Sequence, residues 1–243
     1  MATDSVHDGQ RAHSRRGWTP DCQMEPAKKP ANAKKPPIRR RDRERTRREI
    51  LEIAFAEFAE NGLTGGNTDA IAARANITKR LIFYYFNSKE ELFIAVLEMA
   101  YAKMRLAEEG LHLEALEPEA AIRRLAEFTF DFDQANPEYI RLVTIENIHR
   151  GRHISASRKL KEMTRPIINQ IAAVLDKGVR SGVIQPGIDP NELHMTLNAL
   201  CFFSVANRHT FEAQFGWDMS SPKAKAQRRR EIADLLWRHV RRG

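Results

Sequence analysis

A chain of 243 residues with 42% hydrophobic side chains is long enough to bury a sizeable core and too apolar to be disordered throughout. Its formal charge of +8 invites a polyanion, but the charge is unevenly placed: residues 1–48 carry 14 Lys/Arg against 6 Asp/Glu, and the remainder carries 26 against 26. The composition therefore describes a neutral globule behind a basic arm, and it excludes a uniformly basic protein.

Two cysteines, Cys22 and Cys201, are too few and too differently placed for a disulfide framework, and a reducing cytoplasm is expected. No apolar stretch reaches the length of a membrane span, so no membrane partner is expected. Arg15–Arg16 is followed by Pro20, Asp21 and Cys22, where a twin-arginine export signal needs an apolar run. Residues 1–44, rich in Pro, Lys, Arg and Ala, bury too little surface to offset chain entropy and read as a disordered basic N-terminal arm. The run KKPANAKKPPIRRRDRER within it reads either as a phosphate contact or as a solvated tail, with Met24 as a second candidate start.

From Thr46 the pattern becomes helical. Ile50, Ile53, Ala54 and Phe58, with Leu51 and Phe55 beside them, form one apolar stripe, and Asn61–Gly62 is expected to end it. Thr68 is the expected N-cap of a short helix carrying Ile71, Ala72 and Ala75. Asn76 interrupts, Thr78 caps again, a second short helix runs through LIFYYF, and Ser88 starts a longer one. Further helices are expected at about 88–109, 118–135, 137–150, 155–182, 190–215 and 221–241, bounded by Pro and Gly signals. No alternating stretch is long enough for a strand, and the chain reads as all-α.

The segment TDAIAARANITKRLIFYYFNSKEELFIAVLE has the layout of a helix-turn-helix at residues 68–89: two short helices around a tight turn, the second placed in the major groove. Ala72 and Ala75 are small enough for close helix approach, and Asn76 tolerates the left-handed backbone of the turn. Residues 66–89 carry Arg74, Lys79, Arg80 and Lys89 against Asp69, a local net of +3 within the neutral part of the chain.

The stretch from Thr46 to Leu97 resembles the DNA-binding domain of the TetR family. That family's pattern is a long first helix, a threonine before IA..AGVS, and then LYYHF.SKEEL; this chain reads IAARANIT and LIFYYFNSKEEL. It departs at Asn76, usually glycine, and at Arg80, often a small residue. The blocks LIFYYFNSKEELFIAVLE and RLVTIENIHRG are similar to the RutR-like subgroup. The resemblance implies a DNA-binding domain at 45–92 and a helical effector-binding and dimerisation domain at 93–243. It implies phosphate contact by Thr68, recognition-helix contacts by Thr78, Lys79 and Arg80, and a phosphate contact by Lys89. Of Tyr84 and Tyr85, one ring would fill the small core and one hydroxyl would reach phosphate. Arg80 is the candidate for bidentate guanine readout, worth roughly 1–3 kcal/mol of discrimination.

The resemblance also implies a homodimer on a pseudo-palindromic operator. The run LNALCFFSVAN is apolar all round, so its helix is expected to be buried on every face. Leu197, Leu200 and Phe202 with Ile232, Leu236 and Val240 are the expected interface. Phe128, Phe132, Glu146, Asn147, Phe203, Asn207 and Arg208 are candidates for a small-molecule effector site. For Glu146 and Asn147, pairing with helix neighbours such as Arg150 or Arg208 is an equal alternative. Glu146, His149 and His153 resemble a metal set in spacing, but Gly151 is expected to break the helix between the histidines, and no metal or other cofactor is expected. No nucleophile elbow, phosphate loop or paired acid–base motif is present, so no enzyme is expected. A ligand-released repressor is the leading expectation; a non-specific architectural protein using the basic arm is the alternative, and the effector itself is not implied.

Overall fold

The computed structural model describes residues 40–243, with side chains from Asp42 onward. The expected arm thus lies outside the described residues except at its end, where helix α1 already begins at Arg40.

Helix α1 (Arg40–Gly65) kinks at Gly62, whose φ of 69° and ψ of 178° are non-helical. The chain then turns over Phe58, and this is possible because Gly66 has no side chain: a Cβ there would stand 2.6 Å from the Phe58 ring and 2.9 Å from the Gly62 carbonyl oxygen. Helix α2 (Thr68–Arg74) is capped by Asn67, whose side chain accepts from the Asp69 and Ala70 amides at 2.8 and 3.3 Å. The expected cap, Thr68, is instead the first helical residue and is buried. Asn67 wins because its own amide is held at 3.0 Å by the Glu57 carboxylate of α1, which fixes it one position earlier. Asn76 adopts the expected left-handed conformation at φ 51°. Helices α3 (Lys79–Phe86) and α4 (Lys89–Glu109) follow. Ser88 accepts from the Glu91 amide at 3.0 Å and caps α4 as expected.

Ile50, Ala54, Phe58, Ile71, Ile82, Leu92, Phe93 and Val96 are fully buried in one core, where the Phe58 and Phe93 rings meet edge to face at 5.3 Å. This core does not stop at the expected boundary between residues 92 and 93. Because α4 is a single helix, it carries the same core onward to Tyr139, Ile140 and Leu142 of α6 (Pro137–Ile148), against which α1 also packs.

A second core joins α5 (Pro118–Ala135), α9 (Arg165–Arg180), α10 (Pro190–Ala206) and α12 (Pro222–Val240). The helix expected at 155–182 is three: α7 (Arg152–Ala156), α8 (Arg158–Glu162) and α9. Ser157 caps α8 by accepting from the Leu160 amide at 3.2 Å, and Pro166 forces a new start for α9. Ahead of them, Arg150 and Gly151 are both left-handed, which ends α6 at Ile148. The helix expected at 190–215 also divides, at Asn207, into α10 and α11 (Arg208–Phe215).

Within one chain, helix α10 is not buried on every face. Leu193, Leu197 and Cys201 face the core, while Met195 is 59% and Phe203 42% exposed. The end of α12 is tied to the turn after α9: Gln185 donates to the Val240 carbonyl at 3.0 Å and Arg242 to that of Val183 at 2.9 Å. No helix among the described residues is long and apolar enough to cross a membrane.

Candidate nucleic-acid interface

Helix α3 divides cleanly by face. Ile82 and Phe86 are buried, whereas Thr78, Lys79, Arg80 and Tyr84 are exposed, Tyr84 by 62%. The buried pair sits four residues apart and anchors the helix, so the opposite face is left free for a groove.

The cations around α3 differ in how they are held. Lys79 bonds the Asp69 carboxylate at 2.8 Å, Arg74 stands 3.7 Å from that of Glu57, and Lys89 donates to the Thr64 carbonyl at 3.1 Å. Arg80 has no partner among the described residues. Glu57 is the joint of this domain: it accepts from Asn61 and from the Asn67 amide and stands beside Arg74, so one buried carboxylate ties α1 to both ends of α2. Nothing in the periodicity of α1 distinguishes Glu57 from a surface glutamate.

The two tyrosines have separate roles. Tyr84 points outward and its hydroxyl accepts from Arg43 at 2.8 Å. Tyr85 packs into the core, and its hydroxyl is buried with no hydrogen-bond partner, which removes it from reach of a phosphate in this conformation. Thr68 is likewise buried at the start of α2. Arg43 and Arg47 were not singled out by the sequence, Arg43 having fallen in the expected arm. Yet Arg47 lies 5.0 Å over the Phe86 ring, and both flank α3. Their i, i+4 spacing on a helical face was the signal.

The candidate effector residues do not converge. Glu146 is buried and its carboxylate is fully used: it accepts from the His153 and Ile154 amides at 2.8 and 3.0 Å and meets the His153 Nδ1 at 2.6 Å. It therefore pairs with neither Arg150 nor Arg208; it holds the start of α7. Asn147 is exposed and bonds its own helix at the Val143 carbonyl. Phe203 lines an outer hollow of about 360 Å³ between α5, α10, α11 and α12. Arg208 borders another hollow beside Pro137 and Arg141, and Asn207 is exposed. Phe128 and Phe132 do meet, 5.9 Å apart, and Phe132 stands edge-on to Tyr139 at 5.8 Å.

That aromatic pair leads to a polar cluster the sequence reading missed. Arg105 pairs with Glu108 on α4, and Asp133 of α5 lies close enough for its charge and that of Glu108 to oppose one another. Burial pushes both carboxyls up to about 7. Burial, and then the Arg105 charge, pushes His194 down to about 4. Glu108 falls four residues after buried Met104, and Asp133 four after buried Thr129. A carboxylate in register with a buried stripe was the available signal.

The expected dimer residues are also differently placed. Leu197, Ile232, Leu236 and Val240 are at most 1% exposed within one chain, where α10 packs against α5 and α9, and α12 against α5 and α10. Leu200 and Phe202 are partly buried against the two cores. These helices must fill their own chain's core before offering anything to a second copy; Met195, Phe203 and Leu235 remain exposed.

A short two-helix reader presented by a larger helical domain defines a DNA-binding regulator of transcription. The comparisons with known proteins agree. Residues 50–96 match the model for bacterial regulatory proteins of the tetR family, and residues 118–236 match a tetracyclin repressor-like C-terminal domain. The chain is 34% identical over 205 residues to the HTH-type transcriptional repressor NicS of Pseudomonas putida, covering 84% of this chain and 97% of NicS. It is 31% identical over 147 residues to the regulator RutR of Escherichia coli, covering 59% and 66%. Among solved structures it is similar to the fatty acid degradation regulator FadR of Bacillus halodurans, with a TM-score of 0.61, 18% identity, and coverage of 79% and 94%. The chain belongs to the TetR family and is a helix-turn-helix transcriptional regulator. These relatives are regulators, and nothing among them supports an architectural role.

Proposed function

We propose that this protein is a homodimeric repressor that leaves a pseudo-palindromic operator when a small effector binds its C-terminal domain. The observation that carries this reading is the course of α4. Its first turn is capped beside α3 by Ser88, and its last turns hold the buried Arg105–Glu108 pair. Some 16 helical residues, about 24 Å at 1.5 Å each, join the DNA-reading end to the polar cluster. A shift at the cluster is thereby carried to the recognition helix, and with two copies to the spacing of the half-sites, roughly 34–36 Å.

On the DNA side, Thr78, Lys79, Arg80 and the Tyr84 hydroxyl lie on the presented face, with Lys89 at the start of α4. For the dimer, the exposed apolar side chains of α10 and α12, Met195, Phe203 and Leu235, replace the core residues as contacts. The name of NicS as a repressor favours repression over activation.

Footprinting of the DNA upstream of the protein's own gene, with and without a metabolite panel, tests the reading. Two protected half-sites one helical turn apart, lost on addition of one metabolite, are expected. Protection indifferent to sequence would overturn it.

A further inference from the structure

We propose that Arg105, Glu108 and Asp133 form the polar end of the effector site, and that it takes a small nitrogenous cation, an amine or amidine, whose N–H groups bind Asp133 and Glu108. This rests on the ligand-released reading and adds the chemical class of the ligand.

Three observations carry it. First, the cluster is buried yet incomplete: the Asp133 residue is 3% exposed, and the Arg105 and Glu108 side chains are 10% and 3% exposed. Arg105 reaches Glu108 through Nη1, while its Nε is buried without a partner. The Asp133 carboxyl accepts no hydrogen bond from any described residue. Second, the charges do not balance. Of the two opposed carboxyls only Glu108 pairs with the guanidinium, and His194 is held neutral by burial and by that same guanidinium. A buried carboxylate without a counter-charge is costly, so it takes up a proton or waits for a cation. Third, the surroundings suit a flat cation. Tyr101 and Tyr139 meet edge to face at 5.5 Å, Phe132 abuts Tyr139 at 5.8 Å, and Tyr139 is near enough to Asp133 and Glu108 to sense their charge, so aromatic rings, which attract positive charge, stand beside the carboxyls.

An acid fits poorly, because it meets two carboxyls against a guanidinium that pairs with one of them and leaves only Nε unpartnered. The ionisable groups coupled to Asp133 are Glu108 on α4, Tyr139 on α6 and Cys201 on α10; Arg105 acts on Glu108 and Tyr139, and Arg228 of α12 on Cys201. Burial raises Tyr139 and Cys201, so both stay protonated near neutrality and supply no charge. In the free protein a proton stabilises the carboxyl pair; a bound cation displaces it.

Calorimetric titration of the full-length protein at pH 8 with benzamidine, benzylamine and benzoate tests the class. At least one of the two cations is expected to bind at least tenfold more tightly than benzoate, and about tenfold more weakly at pH 6, where the carboxyls near 7 are mostly protonated. Asp133→Asn is expected to remove the preference. Asp131→Asn, at an exposed aspartate paired with Arg229, is expected to leave it intact. Tighter binding of benzoate, no binding of either cation, or a preference that survives Asp133→Asn each overturns the proposal. Should Asp133→Asn fail to fold, the cation–anion ranking and its pH dependence in the unaltered protein decide. Release of the operator by an anionic metabolite in the footprint would overturn this class while leaving the ligand-released reading standing.

Discussion

The guanidinium of Arg43 donates to the Tyr84 hydroxyl at 2.8 Å and stands 5.6 Å from the centre of that ring. It joins the first described turns of the chain to the exposed face of the recognition helix across 41 positions of sequence. Tyr84→Phe removes the acceptor and keeps the ring. Because the contact is exposed, stability is expected to change by less than about 0.5 kcal/mol. Operator affinity is expected to fall by a similar factor at every site variant, worth about 1 kcal/mol. Anisotropy titrations beside thermal melts separate the two effects; an unchanged affinity would show that the pair does not orient either group for DNA.

Arg80 and Lys89 are expected to differ in kind. Arg80 has no partner among the described residues, so Arg80→Ala leaves the fold intact and relaxes preference at one base position, costing roughly 1–3 kcal/mol at the preferred base. Lys89→Ala weakens every site alike and lowers the salt slope by about 1. Titrations over single-base operator variants at several salt concentrations read both, and matching profiles for the two variants would remove the distinction.

Glu146 is structural. Its carboxylate satisfies two amides at the start of α7 and the buried ring of His153, which packs edge-on against Phe93 at 5.0 Å. Glu146→Ala strands those donors and is expected to destabilise the protein by about 3–5 kcal/mol. Glu146→Gln, which keeps one accepting oxygen, is expected to lose about 1–3 kcal/mol. Urea midpoints measure both, and a neutral alanine variant would remove the capping role.

The raised carboxyls set a pH dependence of stability with a definite sign. Unfolded, Asp133 and Glu108 ionise near their ordinary values of 3.8 and 4.5; folded, both hold their protons to about 7. Well below their ordinary values, at about pH 2, they are protonated in both states and have no effect. As pH rises towards 7 the unfolded chain alone loses protons, so their contribution to stability falls, and it levels off above 7. Asp133→Asn, close in shape to the protonated acid, is expected to come nearest to the parent at pH 4 and to exceed it in stability most at pH 8. Urea midpoints at pH 4, 6 and 8 give the gap. Parallel curves would mean that Asp133 is not held protonated.

Local chemistry made much of the DNA-reading half legible before folding. The apolar stripe of α1, the small Ala72 and Ala75, Asn76 in its left-handed turn and the Ser88 cap depend on residues within a few positions of one another, and such relations survive in one dimension. The cap at Asn67 did not, because a carboxylate ten residues upstream decides it.

In the C-terminal half, the residues showed an apolar run in α10 and one apolar stripe in the charged α12, but not what they touch. Leu197, Ile232, Leu236 and Val240 are spent on their own chain's core, and the exposed Met195, Phe203 and Leu235 emerge only when α5 and α9 have taken the other faces. Arg105 and Glu108 lie a turn apart in sequence, but their meaning depends on Asp133 arriving from another helix. The sequence by itself determined the family and the reader helix, because short-range periodicity and capping encode them. Tertiary structure decided which buried charges remain uncompensated, because burial and electrostatic pairing are properties of the packed whole.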